Sequence, residues 1–521
     1  MLAATTTTAM AGGILTNTNQ SIDFLRNPAR DAAIALDGVY SNPAGVAFLS
    51  DGLHLGFNWQ YAHQTRTTVR ENSLLATGFK NNGNSVKEYE GVADAPFLPS
   101  IQAAYNKDKW SLQFNFSVTG GGGKCEFDKG VGSFETVVGA IAQTLGQTSA
   151  ELNNNFGLFG CNAPAVTGYD VDGYMKGQQY YFGLQLGAGY KINEHLSVYG
   201  GLRLLYGTAR YEARLNNIRV INGSTSSSLN QYFYGVTQAL VTAGTNMRSN
   251  ASQYIQEFMS QGMSRDMAEK TLEGAGSGLN ATSDKLKNSA ALLEPYAANG
   301  MNLKSDQSGL GVAPVIGVDY RIGDFNFAAK YEFKTRMRLK NNSDLETAII
   351  PETEKYVDGT NVPEDSPSLL TFGVQWNFLP NARLNLGYHH FFDTDAHWYK
   401  NSQKMLDGGT NEYLAGLEWD ITDRLTASVG GQLTRYQLTD DYMNDMSFVV
   451  NSYSFGFGAN YKLSEKVVLK AAYFQTNYED YDMDTPSRRI SLNDFTLDIP
   501  AGKLSFTRTN RVLGVGCEVT L

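Results

Sequence analysis

The sequence lacks a continuous apolar run near the ~20 residues that a membrane helix requires, which excludes a helical membrane protein. Its formal net charge is -10, so the chain lacks the excess of basic residues that is typical of nucleic-acid-binding proteins. No Gly-x-Ser-x-Gly nucleophile elbow is present, and the 6 histidines form no recognisable pattern with a serine. These absences disfavour a nucleic-acid-binding protein and a lipid hydrolase.

Glycine and aromatic residues are abundant, with 53 Gly, 29 Tyr and 27 Phe. From Trp110 to Thr119, large apolar side chains alternate with Ser, Gln, Asn and Thr. Because successive side chains of a strand face opposite sides, this segment has one apolar face and one polar face. The pattern recurs in segments of the ~9–11 residues that a spanning strand needs. The sequence therefore predicts an all-β fold, a transmembrane antiparallel β-barrel.

Short turns join these segments into six hairpins. The predicted hairpins pair 97–105 with 110–119, 178–190 with 196–214, 310–320 with 325–340, 367–378 with 382–392, 411–419 with 424–437, and 447–462 with 467–480. An opening strand near 52–70 and a closing strand near 505–521 bring the prediction to about 14 strands, an even number as in bacterial barrels.

Residues 12–51 precede the first strand and are punctuated by Gly, Pro and Asn, with no good strand pattern. They contain the element Asn42, Pro43, Ala44 and Gly45. An N-terminal plug of this length with an Asn-Pro-Ala element, followed by about 14 strands, resembles the FadL family of outer-membrane transporters for long-chain fatty acids and other hydrophobic compounds. The resemblance covers essentially the whole chain.

The resemblance implies a hatch, residues 12–51, folded inside a barrel formed by residues 52–521. It also implies capture of ligand by extracellular loops and lateral release into the bacterial outer membrane. The expected partners are a hydrophobic small molecule, the lipid bilayer with its lipopolysaccharide, and the outer-membrane assembly machinery. We expect a monomer without a cofactor and without enzymatic activity. The alternatives are a hydrophilic diffusion porin, which the plug disfavours, and an outer-membrane lipid hydrolase.

Residues 1–11 resemble the end of a secretory signal peptide, with an Ala-x-Ala site that ends at Ala11. Two segments, 120–177 and 215–309, are too long for bare connections, so we predict helices within these loops. The second loop carries an apolar stripe near i, i+4 spacing. This stripe either packs the loop onto its neighbour or captures ligand. Its members are Tyr254, Phe258, Met259 and Met263.

Three basic residues, Arg203, Lys330 and Lys334, lie on the predicted lumen face. They either contact the carboxylate of a ligand or pair with Glu332, Glu418 or the hatch.

A lateral exit is predicted near the second and third strands, which form the hairpin of 97–105 with 110–119. Pro99 lies inside one strand, and proline removes a donor from a ladder. Its partner strand ends in four glycines that loosen the wall or serve only as a loop hinge, namely Gly120, Gly121, Gly122 and Gly123.

The sequence contains 3 cysteines. Cys125 and Cys161 share one predicted loop, and an exported compartment permits disulfides, so we predict a bond between them. His389 and His390 precede several acidic residues, but adjacent residues of a strand face opposite sides. We therefore predict no metal site.

Overall fold

The computed structural model describes residues 14–345, 351–446, 448–492 and 495–521. The predicted signal-peptide residues 1–11 lie outside this range. Among the described residues, no helix has both the length and the apolar character needed to cross a membrane.

Strands account for most of the described chain. The first ten are β1 (Gly52–Glu71), β2 (Val86–Lys107), β3 (Trp110–Phe127), β4 (Gly168–Lys191), β5 (Leu196–Asn222), β6 (Thr225–Ser228), β7 (Met301–Ile322), β8 (Phe325–Glu332), β9 (Arg338–Ser343) and β10 (Asn361–Pro363). The next ten are β11 (Leu369–Leu379), β12 (Ala382–Phe391), β13 (Asn411–Asp420), β14 (Leu425–Arg435), β15 (Ser452–Ser464), β16 (Val467–Tyr478), β17 (Tyr481–Thr485), β18 (Arg488–Leu492), β19 (Phe495–Ile499) and β20 (Gly502–Thr520). The helices are α1 (Ile22–Arg26), α2 (Gly132–Phe156), α3 (Leu229–Ser249), α4 (Ala251–Ser260) and α5 (Arg265–Asn299).

Within the described residues, 14 of these strands form a closed antiparallel barrel. Closure is made by β1, which pairs with β2 on one side and with β20 on the other. The six predicted hairpins and the opening and closing strands are confirmed. The remaining short strands, β6, β9, β10, β17, β18 and β19, lie beyond one end of the wall.

One predicted strand, 325–340, is interrupted. Strand β8 ends at Glu332, which pairs with Val315 of β7, and β9 resumes pairing with β7 at Lys340 and Ser308. Pro314 of β7 has no N–H with which to continue the ladder, although its carbonyl accepts a bond from Phe333 N at 3.1 Å.

The alternation that predicts the wall is present in the structure. On β3, Trp110 and Leu112 are 57% and 58% exposed, whereas Ser111 and Asn115 are fully buried. The outside of the barrel is thus apolar and the inside is polar, the reverse of a soluble barrel. Such an outer surface is suited to contact with lipid.

Both long loops contain helices, as predicted. Helix α2 lies in the β3–β4 loop, and α3, α4 and α5 lie in the β5–β7 loop. The strands that flank these loops extend further than the sequence predicts, because β3 continues to Phe127 and β4 begins at Gly168. Apolar side chains from both loops form one buried cluster above the wall.

Candidate functional site

The hatch lies in the lumen of the barrel. Every residue from 14 to 49 is buried or half-buried. Its backbone bonds to inward-facing side chains from strands on different sides of the barrel: Asn58 of β1 accepts from Ile22 N at 3.1 Å, and Asn326 of β8 donates to Ala32 O at 2.7 Å. Because β1 and β8 are far apart around the wall, these bonds place the hatch across the lumen.

Buried ion pairs hold the hatch to the wall. Glu418 of β13 accepts from Arg26 at 3.1 Å and from Arg30 at 2.5 Å. Asp23, which pairs with Arg26 at 2.7 Å, also pairs with Lys470 of β16. Burial alone raises the pKa of Asp23, but Lys470, Arg26 and Arg30 outweigh burial and hold this pKa well below its usual value. Charge complementarity therefore fixes the position of the hatch.

Replacing Glu418 by Gln is expected to destabilise the folded protein by about 3 kcal/mol, because Arg26 and Arg30 then lose a shared counter-charge in a buried site. Urea unfolding in detergent measures this change. Glu465→Gln in an exposed turn is the matched control and should shift stability by less than about 0.5 kcal/mol. Equal stability of both variants would contradict a tethering role for Glu418.

The Asn-Pro-Ala-Gly element contacts several strands at once. Asn42 Nδ2 donates to Asp319 of β7 at 2.5 Å, and its Oδ1 accepts from Gly45 N at 3.2 Å. The carbonyls of Pro43 and Ala44 accept bonds from Gln113 of β3 and Ser197 of β5. A Cβ at Gly45 would lie 2.3 Å from Asn42 Nδ2 and 2.8 Å from Asp319 Oδ2, so a larger residue here would disturb the bond between these two side chains. The element therefore anchors the hatch near the β3–β7 side of the wall.

The basic residues predicted to meet a ligand occupy other roles. Arg203 and Lys330 both pair with Glu332, and Lys330 Nζ lies 2.7 Å from the Glu332 carboxylate. Their cationic groups also lie 4.7 and 4.5 Å from the ring centroid of Tyr40 in the hatch. Lys334 is half-buried beyond the end of β8 and donates to Asp395 O at 2.7 Å. Arg203 and Lys330 therefore follow the second alternative, in which the cations pair with the wall and the hatch.

The barrel wall is interrupted between β2 and β3. The two strands pair from Lys107 with Trp110 up to Ile101 with Phe116, and then only at Val92 with Glu126. Pro99 lies within the stretch of β2 that does not pair with β3, and it remains opposite Trp59 of β1.

Where its pairing with β2 ends, strand β3 pairs with the hatch instead. Asn17 N donates to Thr119 O at 2.8 Å, and Gly121 N donates to Leu15 O at 3.3 Å. A Cβ at Gly120 would lie 2.3 Å from Leu15 O. Gly121 and Gly123 have φ values of 90° and 58°, a region that favours glycine. The glycines thus allow the N-terminal end of the hatch to replace β2 as the partner of β3.

A crevice opens at this interruption. Its lining is mainly small or apolar and comes from the hatch and from β1, β2, β3 and β4. The lining residues are Asn17, Ala62, Gln64, Ala93, Ala95, Leu98, Val118, Gly120, Gly121, Gly123, Lys124 and Tyr180. The crevice joins the edge of the hatch to the face of the wall that contacts lipid.

The predicted capture stripe mostly packs within the loops. Tyr254 and Phe258 of α4 are buried in the loop cluster, and the ring of Tyr254 lies 5.0 Å from that of Phe159 in an edge-on contact. Met263 is half-buried against the same cluster. Met259 is 43% exposed. The packing interpretation therefore describes Tyr254 and Phe258, and Met259 alone presents a substantial apolar surface.

The predicted disulfide is not formed, because Cys125 and Cys161 are both free thiols. The sequence prediction placed both cysteines in one loop, 120–177. In the structure, Cys125 belongs to β3 and is held opposite Gly177 by the ladder, whereas Cys161 N bonds to Phe156 O at the end of α2. Two different elements therefore fix the two thiols.

His389 is a hatch contact that the sequence did not reveal. Its ring nitrogens lie 2.9 Å from Asp31 of the hatch and 2.8 Å from Glu412 of β13. His390, on the opposite face of β12, lies 2.9 Å from Asn411 Oδ1. Among the described residues, no group of three or more His, Cys, Asp or Glu side chains is arranged to hold a metal ion.

These features define a transmembrane β-barrel whose lumen is filled by its own N-terminal segment. No protein-family model matches the chain, and no curated protein matches it. Many solved structures are similar to the chain, and two of them are described here. A FadL homologue from Pseudomonas aeruginosa superposes with a TM-score of 0.58 at 11% identity, covering 98% of this chain and 99% of that one. The toluene transporter TodX from P. putida gives a TM-score of 0.50 at 12% identity, with 94% of each chain covered. The chain therefore has the fold of the FadL homologue, as the sequence predicted.

Proposed function

We propose that this protein takes up hydrophobic compounds across the bacterial outer membrane, with ligand capture by the loops, a lumen gated by the hatch, and lateral release into the membrane. The chain is an outer-membrane protein and a transporter rather than an enzyme. The FadL homologue and the toluene transporter, which share its fold, support this class of function. Long-chain fatty acids and other apolar solutes are the proposed cargo.

The interruption between β2 and β3 carries the proposal. A wall that serves only to enclose water needs a continuous ladder, because unpaired backbone groups are costly in lipid. Here β3 instead bonds to Leu15 and Asn17 of the hatch. Displacement of this end of the hatch would free the edge of β3 and widen the crevice. The segment that opens the exit is then the same segment that fills the lumen, the hatch.

An apolar cargo benefits from this route. Each CH₂ group removed from water contributes about 0.8 kcal/mol. Passage from a crevice lined by Ala95, Leu98 and Val118 directly into the bilayer spares the cargo from entering water again. A straight path through the lumen would instead meet the buried ion pairs of Glu418 and Glu332. The same filled lumen disfavours the hydrophilic porin alternative.

Replacing residues 229–299 by a short Gly/Ser linker is expected to reduce uptake of an apolar solute by about tenfold at limiting concentration, because the variant loses the exposed apolar surface around Met259. The barrel itself should still fold, since segments at loop tips tolerate removal better than ladders do. Uptake of radiolabelled hexadecanoic acid by cells and heat-modifiable migration of the purified barrel measure the two effects. Unchanged uptake at limiting solute would refute a capture role for this loop.

A further inference from the structure

An apolar groove, called here the outer groove, lies on the lipid-facing side of the wall over β15, β16, β20 and β1. It has a volume of about 620 Å³, within the roughly 300–1,000 Å³ of small-molecule sites. Small residues form its floor and large ones its rim, among them Gly458, Ala471, Gly514, Trp59, Phe457 and Leu513. A groove of this size and character has room for an acyl chain.

The ladder beneath the outer groove is complete. Leu513 of β20 pairs with Tyr473 of β16 and with Tyr61 of β1. Tyr473 in turn pairs with Phe457 of β15. The outer groove is therefore a depression over a closed wall, and it lies on the other side of β1 from the crevice between β2 and β3. Cargo that leaves through the crevice does not pass through the outer groove.

Hydrogen bonds hold the aromatic rim of the outer groove in place. Trp59 Nε1 donates to Pro96 O at 2.9 Å, and Tyr473 Oη donates to Gln475 Oε1 at 2.8 Å. The ring of Tyr473 also packs against that of Phe457, with centroids 5.6 Å apart. Because side chains fixed in this way lose little freedom on binding, the outer groove is preorganised for a ligand.

The apolar surface ends at Arg511, which follows Leu513 on the outward face of β20 towards the long loops. At a rise of about 3.4 Å per residue, the two side chains are about 7 Å apart along the strand. Beyond Arg511 the outward face is polar, and the hydroxyls of Thr509 and Thr65 lie 2.7 Å apart. The end of an outer-membrane barrel that carries the long loops is extracellular. The outer groove therefore opens towards the outer leaflet.

The guanidinium of Arg511 is available to an anion. Arg511 is exposed, and within the described parts of the chain no carboxylate forms an ion pair with it. Asp94 lies in the same row of the sheet, because Arg511 pairs with His63 and His63 pairs with Asp94. The Asp94 carboxylate is instead bonded by His63 Nδ1 at 2.8 Å and by Tyr61 Oη at 3.1 Å. A cation thus stands at the extracellular end of an apolar groove.

We propose that the outer groove binds lipopolysaccharide, the phosphorylated glycolipid of the outer leaflet, with one acyl chain over Ala471 and a phosphate on Arg511. Guanidinium groups bind phosphate oxygens through strong charge-assisted hydrogen bonds. The acyl chain gains packing contacts with the rim, since it is surrounded by apolar groups both before and after binding. Phospholipids of the inner leaflet place their phosphates at the opposite end of the wall. The inference rests on the outer-membrane location proposed above and adds a bound lipid to the transported compound.

Native mass spectrometry of the full chain in detergent, titrated with lipid A that carries two phosphates, tests the site. Ala471→Phe fills the floor of the outer groove and should weaken binding by at least about tenfold. Arg511→Gln removes the charge-assisted contact and should weaken it by about tenfold. The matched controls are Ala415→Phe on the exposed face of β13 and Arg424→Gln in an exposed turn, and both should bind like the unmodified protein.

Two further lipids identify what the outer groove recognises. Phosphatidylethanolamine should bind at least about tenfold more weakly than lipid A, and lipid A without phosphates should bind equally to Arg511→Gln and the unmodified protein. Heat-modifiable migration should show that every variant is folded. Equal binding of lipid A and phosphatidylethanolamine, or unchanged lipid A binding by Ala471→Phe, would overturn the inference. Dimers that only Ala471→Phe abolishes would also overturn it, because the outer groove would then bind a second copy of the chain.

Uptake of radiolabelled hexadecanoic acid by cells distinguishes this inference from the transport proposal. Ala471→Phe and Arg511→Gln should take up the acid normally, because the crevice lies on the other side of β1. If the unmodified protein takes up the acid but binds no lipid A, only the lipid site is refuted. If it binds lipid A but takes up no acid, the lipid site stands and the transport proposal fails.

Discussion

Deleting residues 14–49 is expected to turn the closed barrel into an ion-conducting pore. The hatch fills the lumen and is held there by Glu418, Lys470 and His389 of the wall. Water that enters the emptied lumen can hydrate these side chains, so the wall should still close. A 14-stranded barrel approaches the 16–18 strands that leave an aqueous channel, and we expect conductance to rise by at least about tenfold.

Single-channel recording in planar bilayers measures this change. The matched control removes residues 229–299 instead, which shortens the chain by a larger segment outside the lumen and should leave conductance low. If the intact and hatchless proteins conduct equally well, the hatch does not close the lumen and the porin alternative gains support.

Replacing Ala95 by Phe is expected to block delivery of an apolar cargo. Ala95 lines the crevice beside the wall interruption and pairs with Ala62, another lining residue, across β1 and β2. A phenyl ring in this space would fill the passage that the proposed exit requires. Because overpacking costs about 1–3 kcal/mol, the ring should slow release by about fivefold or more even where neighbouring residues adjust.

Uptake by cells and ligand binding by the purified protein distinguish a blocked exit from a damaged binding site. Binding should be unchanged and uptake reduced. Ala415→Phe, on the exposed face of β13, introduces the same ring far from the crevice and should transport normally. Full uptake by Ala95→Phe would show that the cargo leaves the barrel elsewhere.

Local patterns made the wall predictable. The alternation from Trp110 to Thr119 and the short turns between strands identified the hairpins because strand periodicity and turn chemistry depend on neighbouring residues. The main error in the wall, the continuous strand 325–340, arose because the interruption comes from Pro314 on the adjacent strand. The missing N–H belongs to Pro314 of β7, so the sequence of 325–340 itself gives no sign that this strand is interrupted.

Roles of residues that depend on distant parts of the chain were harder to predict from the sequence. Cys125 and Cys161 are both free thiols, the first on a strand and the second at a helix end, and these placements depend on the folded loop. Trp59 and Val515 of the outer groove are 456 positions apart in the sequence, and only closure of β1 on β20 makes them neighbours. Their apolar character was visible in the sequence, but their juxtaposition was not.

The sequence by itself determined that the chain forms a barrel of about 14 strands with an apolar outer face and an N-terminal segment outside the wall. It also marked Pro99 and the glycines from 120 to 123 as a weak point in that wall. Only the tertiary structure decided that Leu15 and Asn17 bond to β3 there, and which lumen charges are paired. The physical reason is that backbone periodicity is a local property, whereas ion pairing and strand replacement depend on which distant groups the closed barrel brings within hydrogen-bonding distance.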